Sequence, residues 1–587
     1  MKKIIFMAVV SLLTLAGCNE DDFLEEKALD FNSASNSYST AADFDASIAE
    51  LYYLTRQEFY SDYNRSMDFY AVSDMFITAD PLKSNIVSTQ DPSSSMPKFH
   101  WDTLYKLIAQ ANTVISRLPN SALTAEQQTV YEAKARFFRS LGYRTLVYLF
   151  GDVPMQLEEV TTPKTDYTRQ PKAEVLAQAI EDADFAAKNL PDIATVKDGE
   201  ISRPAAQMLL SELYLATDQN EKAAEAATQV INNSSLALMT SRFGSRANEP
   251  GDVFWDLFRM NNQNRKSGNT EGVWVIQFET NVTGGANNTA DFFWYSQSYW
   301  AERYFCPQVD KFKIHTPDGT QVKLFNWPIG DMTGGRGIGT MYADELLNHT
   351  IWQDDPNDMR NSEYNWPRRY KIHNLDKLDA YPDLKAALSD GYFDLENPRL
   401  PDGYRMETGF EGGITATNKL PNRFMCGYST KATTPGNHPD AQYQNKDILL
   451  LSGTAGKTYT DQYMFRLPEA YLLRAEAYVK MGQKAKAAED INVIRRRANA
   501  KPCSADQVDL DYILDERLRE LTLEEKRRLT LSRMGKLYER ITKYNPYYSA
   551  EGSADGKAYD KHFDLLPIPT SVIEANKDGK LEQNPDY

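Results

Sequence analysis

Hydrophobic residues recur at helical spacing along most of this chain. Phe44, Ile48, Leu51 and Tyr52 mark one apolar face; Leu104, Leu107, Ile108, Ala111 and Ile115 mark a second. Residues 133–149 carry a third, closed by Gly151 with Pro154 beyond, the punctuation expected where a helix stops. The pattern predicts long helices beginning near Thr40. Over residues 240–460 the period is lost, and Gly, Asn, Pro and aromatic residues take over, as in Thr283-Gly284-Gly285-Ala286-Asn287-Asn288 and Thr333-Gly334-Gly335-Arg336-Gly337. A short apolar run, Val273-Trp274-Val275-Ile276-Gln277-Phe278, predicts a little β-structure inside that region.

The chain also matches itself. Laid on one another with an offset of 264, residues 211–225 and 475–489 align Ser211-Glu212-Leu213-Tyr214 with Ala475-Glu476-Ala477-Tyr478, and Ala223-Ala224-Glu225 with Ala487-Ala488-Glu489. Gln219 meets Gln483 and Lys222 meets Lys486 in the same register. Each copy reads as helix, short turn, helix, with small residues where two backbones approach. That is the logic of a tetratricopeptide-type hairpin. Residues 133–150 followed by 171–190, and the stretch 513–540, read as further pairs. The predicted fold class is therefore mainly α, a tetratricopeptide-like helical repeat scaffold carrying a large loop-rich insertion with minor β-structure.

The N-terminus has a different pattern. Lys2 and Lys3 precede an apolar stretch over 4–15, too short to span a bilayer stably, and Leu15-Ala16-Gly17-Cys18 ends it in small residues before a cysteine. This order predicts a lipoprotein signal peptide over 1–17, with lipidation at Cys18 anchoring the protein to a membrane. Residues 18–40 then form an acidic, Ser/Asn-rich tether, and 41–587 a single domain that includes the insertion at 240–460.

Composition narrows the partners. Removing Lys2 and Lys3 with the signal peptide takes the formal charge from −17 to −19, which argues against nucleic-acid binding and against electrostatic adhesion to anionic lipid. With Cys18 committed to lipid, Cys306, Cys426 and Cys503 remain, an odd number without CxxC spacing, so no complete disulfide framework is expected.

A set of landmarks runs in order through the chain: the lipobox and acidic tether; Trp101-Asp102-Thr103-Leu104-Tyr105; Ala135-Arg136-Phe137-Phe138-Arg139; and Phe150-Gly151-Asp152-Val153-Pro154. Asp354-Asp355-Pro356-Asn357-Asp358-Met359-Arg360 follows, then Phe465-Arg466-Leu467-Pro468-Glu469-Ala470, Ile494-Arg495-Arg496-Arg497-Ala498 and Glu516-Arg517-Leu518-Arg519-Glu520-Leu521. Leu566-Pro567-Ile568-Pro569 and Gln583-Asn584-Pro585-Asp586-Tyr587 complete it. Together they resemble the SusD/RagB family of outer-membrane lipoproteins from Bacteroidetes. Pro468 stands where the family more often has alanine, and the Asp354 stretch is a loose version of its landmark. The resemblance implies a cell-surface lipoprotein of the outer membrane that binds an oligosaccharide or polysaccharide and delivers it to a SusC-like TonB-dependent transporter. A peptide-binding, RagB-like importer on the same scaffold is the alternative.

A sugar site needs aromatic faces for the C–H face of pyranose rings and amide, carboxylate or guanidinium partners for hydroxyls. Seven of the eight tryptophans fall between Trp255 and Trp366, and the densest constellation is residues 292–300. It predicts a platform of Trp294 and Trp300 with Tyr295, and hydrogen-bonding roles for Gln297, Asn288 and Arg303. Trp327 and Trp366, each before a proline, are weaker candidates, and Trp101 reads as core. The chain contains no HExxH, GxSxG or P-loop, and His100, His315, His349, His373, His438 and His562 are scattered. No enzyme activity, cofactor or metal is expected. Asp354, Asp355 and Asp358 lack EF-hand spacing and read as a solvated turn.

Overall fold

Local capping sets where the scaffold helices start. The computed structural model describes residues 38–61, 67–78, 89–280, 298–406, 421–549 and 558–587. Helix α1 (Ala41–Tyr60) opens on Thr40, whose backbone N–H donates to Asp43 Oδ2 at 2.7 Å. Helix α2 (Ser95–Arg117) leads to α3 (Ala125–Phe150), which starts on a capping box between Thr124 and Gln127 and stops at Gly151, where φ is 75°. Helices α4 (Lys172–Asn189), α5 (Arg203–Ala216) and α6 (Asn220–Ile231) continue the series, each packed on the one before. Buried Arg139 of α3 donates to both Asp182 carboxylate oxygens of α4, at 2.7 and 2.8 Å.

After the insertion the pattern resumes with α7 (Leu467–Lys480), α8 (Lys484–Arg497) and α9 (Leu510–Leu521). The two self-matching stretches are the hairpins α5–α6 and α7–α8. Their turns are equivalent: Asp218 and Gly482 both take a left-handed conformation, with φ of 55° and 72°. The hairpins stack directly, α6 on α7, and Lys480 Nζ donates to Leu215 O at 3.0 Å. Mainly helical, repeat-like architecture is thus what the structure has.

The insertion leaves the scaffold between two helices that touch. Strand β2 (Gly272–Ile276) pairs antiparallel with β4 (Gln462–Arg466), from Ile276 opposite Gln462 to Gly272 opposite Arg466, so a two-stranded ribbon gathers both ends of the excursion. A second ribbon, β1 (Phe76–Thr78) with β3 (Met341–Ala343), ties it to the N-terminal part of the chain. The rest of the described insertion is short α-helical and 3-10 turns with two- or three-residue strands.

Buried charge holds scaffold and insertion together. Arg466, at the end of β4, donates to Glu271 and Glu520 at 2.8 and 2.7 Å, and to Glu524 at 2.7 Å. Arg360, from the insertion, reaches Asp358 at 2.7 Å, Glu516 at 2.8 Å and Glu520 at 3.1 Å, while Arg497 joins Glu271 to Glu520 and Arg495 binds Glu516. Burial alone would raise the Glu516 carboxyl, but Arg360, Arg519 and Arg495 pull it down to about 2. The landmarks around Arg360, Arg466, Arg495 and Glu516, spread over more than 150 positions, are therefore one buried ion cluster. The landmarks at Phe150, Leu566 and Asn584 also meet, through neutral hydrogen bonds: Asn584 Nδ2 donates to the carbonyls of Phe150 and Leu566 at 2.9 and 2.7 Å. The Asp354 turn is solvated only in part: Asp354 is exposed, but Asp355 pairs with Arg495 and Asp358 with Arg360, and both are buried because these arginines need partners away from water.

Candidate functional site

Tryptophan in the insertion serves mostly as core. Trp255, Trp274, Trp352 and Trp366 are buried, as is Trp101 on α2. A loop-rich region without helical faces needs large rings to exclude water, and these supply them.

Asn288, Trp294, Tyr295 and Gln297 lie outside the described residues. The shoulders of their segment are described, and both rest on one side chain. The rings of Phe278 and Tyr299 lie 6.3 and 5.5 Å from that of Tyr60 at the end of α1, and Tyr60 Oη donates to Tyr463 O at 2.8 Å. The excursion thus leaves and returns at a single aromatic anchor.

Trp300 and Arg303 differ from expectation. Trp300 is 3% exposed and so presents no ring face to a sugar. The guanidinium of Arg303 sits 4.1 Å from its ring centroid and Lys457 Nζ 5.3 Å away. Arg303 is itself buried, its Nε and Nη2 donating to Ala455 O at 2.8 and 2.6 Å. The physical reason is the 453–458 loop, whose carbonyls are satisfied by the guanidinium that covers the indole. Trp300 and Arg303 build the wall rather than the platform.

Trp327 is the candidate that remains half-exposed. The Arg336 guanidinium lies 4.0 Å from its ring centroid, the indole N–H donates to Gly337 O at 2.9 Å, and Arg336 Nε donates to Gly453 O at 3.1 Å. Burial lowers the Arg336 pKa to about 10, within the range where it is charged at neutral pH. Behind it, Glu302 accepts from Arg336 N at 2.6 Å, Thr433 Oγ1 at 2.6 Å and His438 Nε2 at 2.7 Å. At the rim, the backbone N–H of exposed Asn326 donates to His373 Nδ1 at 3.1 Å, and His373 Nε2 faces Asp331 at 2.8 Å. The glycine run makes the close approach feasible: a Cβ on Gly335 would lie 2.6 Å from the Glu302 carboxyl, and one on Gly337 2.4 Å from the Cys306 carbonyl oxygen. An indole fixed edge and face by hydrogen bond and guanidinium, with polar groups beside it, is chemically suited to stacking on a sugar ring. The supporting Glu302, Arg336 and His438 were missed from sequence, although the Thr333–Gly337 glycine run signalled a close backbone approach. Among the described residues, no group of three or more His, Cys, Asp or Glu side chains is arranged to hold a metal ion.

Comparison with known proteins gives this geometry a context. A model of the SusD family matches residues 252–587, and one described as starch-binding associating with outer membrane matches 22–215. The SusD-like protein P2 of Formosa agariphila is 23% identical over the whole of both chains. Among solved structures, a laminarin binding SusD-like protein superposes with a TM-score of 0.64 at 19% identity, over 94% of this chain and 100% of that one. Surface glycan-binding protein A from Bacteroides thetaiotaomicron, in complex with laminarihexaose, does so with a TM-score of 0.61 at 16% identity, over 93% and 100%. With more than half of its length matched by the family's own model and the shared fold extending across nearly all of it, the chain belongs to the SusD family.

Proposed function

We propose that this protein is a glycan-binding lipoprotein of the cell surface, anchored to the outer membrane through Cys18, which captures oligo- or polysaccharide and passes it to a SusC-like TonB-dependent transporter. It binds and does not hydrolyse. Family membership supports the reading, as do the fold neighbours named for laminarin, laminarihexaose and surface glycan. The observation that carries it is Trp327, held half-exposed on the Arg336 guanidinium at the surface of the insertion. Trp294 and Tyr295, with Asn288 and Gln297, complete the site from the segment gathered at Tyr60. The domain division follows: a signal peptide over 1–17, a lipidated cysteine and tether over 18–40, and one body over 41–587 whose 240–460 insertion holds the ligand.

Affinity electrophoresis of the soluble mature chain against plant, host and microbial polysaccharides, laminarin included, tests this. Retardation by one polysaccharide class that disappears in Trp327→Ala or Trp294→Ala is the expected result. Retardation by none, with the protein folded, would contradict glycan capture.

A further inference from the structure

Trp327 is braced by a histidine whose two ring nitrogens do opposite work. His373 Nδ1 lies 3.1 Å from the backbone nitrogen of Asn326, and because a backbone N–H can only donate, Nδ1 accepts and carries no proton. The proton is then on Nε2, which donates to Asp331 Oδ2 at 2.8 Å. These two partners select the neutral tautomer of the imidazole. They also come from the two segments that flank the indole. Asn326 immediately precedes Trp327, while Asp331 Oδ1 accepts from Thr333 N at 2.8 Å and from Thr333 Oγ1 at 2.6 Å, at the head of the glycine run that supplies Arg336 and Gly337. The histidine is held from behind: His373 N and Asn374 N both donate to Leu324 O at 3.1 Å, and the Phe325 ring meets the imidazole edge-on at 5.9 Å.

We propose that His373 is a positioning residue for Trp327 and acts only while uncharged, so that the glycan site loosens on acidification. The inference rests on the glycan-capture reading and adds its regulation. Protonation turns Nδ1 from an acceptor into a donor that faces the Asn326 N–H, and that hydrogen bond is lost. The same proton strengthens the contact with Asp331, because a neutral pair becomes an ion pair. The imidazole therefore leaves the turn before Trp327 for the loop after it. Asn326 is exposed, so its freed N–H passes to water, and the turn loses its hold rather than its fold. Affinity for a neutral polysaccharide is then expected to fall by about fivefold from pH 8 to pH 5, the order of one hydrogen bond, across the range where histidine ordinarily changes charge.

The charges around the ring are few. Lys323, Asp331 and Arg336 lie on the segments packed against it, and Lys371, Asp376 and Lys377 on its own. Among the described residues Asp331 alone pairs with the imidazole, and Arg336 is turned to the Trp327 face and Gly453 O. Asp390, beyond the Gly391 carbonyl that accepts from Ile372 N, is engaged by Arg369 and Arg399. Tyr428, which donates to Met332 O, is held neutral by burial. His438 is the other histidine nearby, against Gly330, and it pairs with Glu302. Substitution at position 373 separates the two.

Amide hydrogen exchange of the soluble mature chain without glycan tests the brace, with rates corrected for their intrinsic dependence on pH. The Asn326 N–H is expected to be protected at pH 8 and about fivefold less protected at pH 5. His373→Gln, which keeps an acceptor and a donor but does not titrate, is expected to hold its protection at both pH values, and His373→Ala to lack it at both. Equal protection of the unaltered chain at pH 8 and pH 5 overturns the proposal, as does a pH-dependent loss of the same size in His373→Gln. Should the glutamine variant fail to fold, the alanine variant decides, since a loss between pH 8 and pH 5 that persists without the imidazole overturns the proposal equally. No sugar enters the measurement, so a chain that behaves as expected but retains no polysaccharide contradicts glycan capture alone.

Discussion

Arg336 lies over the face of Trp327 at 4.0 Å, while the indole N–H is held by the carbonyl of Gly337, the next residue along. One short glycine-rich loop thus fixes the ring by face and by edge. Removing the ring by Trp327→Ala is expected to weaken binding to the retained polysaccharide by about tenfold, the order of one aromatic stacking contact. Titration calorimetry beside a melting curve checks it; a full loss of affinity with a collapsed melting curve would instead mark Trp327 as structural.

Gly337→Ala tests the support of that ring. The added Cβ would meet the carbonyl oxygens of Cys306 and Pro307, each at 2.4 Å, and backbone gives way poorly. A loss of about 2 kcal/mol is expected, together with weaker glycan binding, measured by denaturant unfolding and by gel retardation.

Glu520 receives Arg360, Arg466 and Arg497 in one buried place. Glu520→Gln keeps the shape but removes the charge that three guanidinium groups share. It is expected to cost about 3–5 kcal/mol, since the arginines stay buried with one partner fewer. Chemical denaturation checks it, and unchanged stability would show that Glu271, Glu516 and Glu524 suffice.

His100 is fully buried, with Nδ1 2.7 Å from Glu58 and Nε2 3.4 Å from Asp68. Burial opposes its charge, but the carboxylates prevail and raise its pKa from 6.5 to about 9. A raised histidine stabilises fully below its unfolded pKa and loses that contribution as pH climbs through its folded one. Stability relative to His100→Gln should therefore fall by about 3 kcal/mol between pH 6 and pH 9.5. The difference between the two proteins is the quantity to measure. Lys431 and Lys526, which burial lowers to about 8 and about 7, titrate in that window with the opposite sign and cancel between them.

Cys18→Ser should move the protein from the membrane fraction to the soluble one, because no helix among the described residues is long and apolar enough to span a bilayer. Radiolabelled palmitate incorporation, present in the parent and absent in the variant, is the accompanying measurement.

Much of the scaffold was legible in the chain because helices are local objects. Phe44 to Leu51 and Leu104 to Ala111 declare their faces within two or three turns. The 264-residue self-match found both hairpins, since each turn needs the same left-handed residue, Asp218 or Gly482. The strand at Gly272–Ile276 was readable as an apolar run, although its partner at Gln462–Arg466 was not, because nothing local links positions 190 residues apart.

The candidate site divided differently. The neighbouring residues ranked Trp300 above Trp327, although an indole suits a core and a sugar alike. Only folding decided between them, by closing the 453–458 loop and Arg303 over Trp300 while leaving Trp327 at the surface. Arg360, Arg466 and Glu520 show the same limit: sequence marked each as a landmark, and tertiary structure alone made them one buried cluster. Periodicity and turns are written in neighbouring residues and so belong to the sequence by itself. Exposure and charge pairing depend on which distant segments arrive together, and these were settled by the fold.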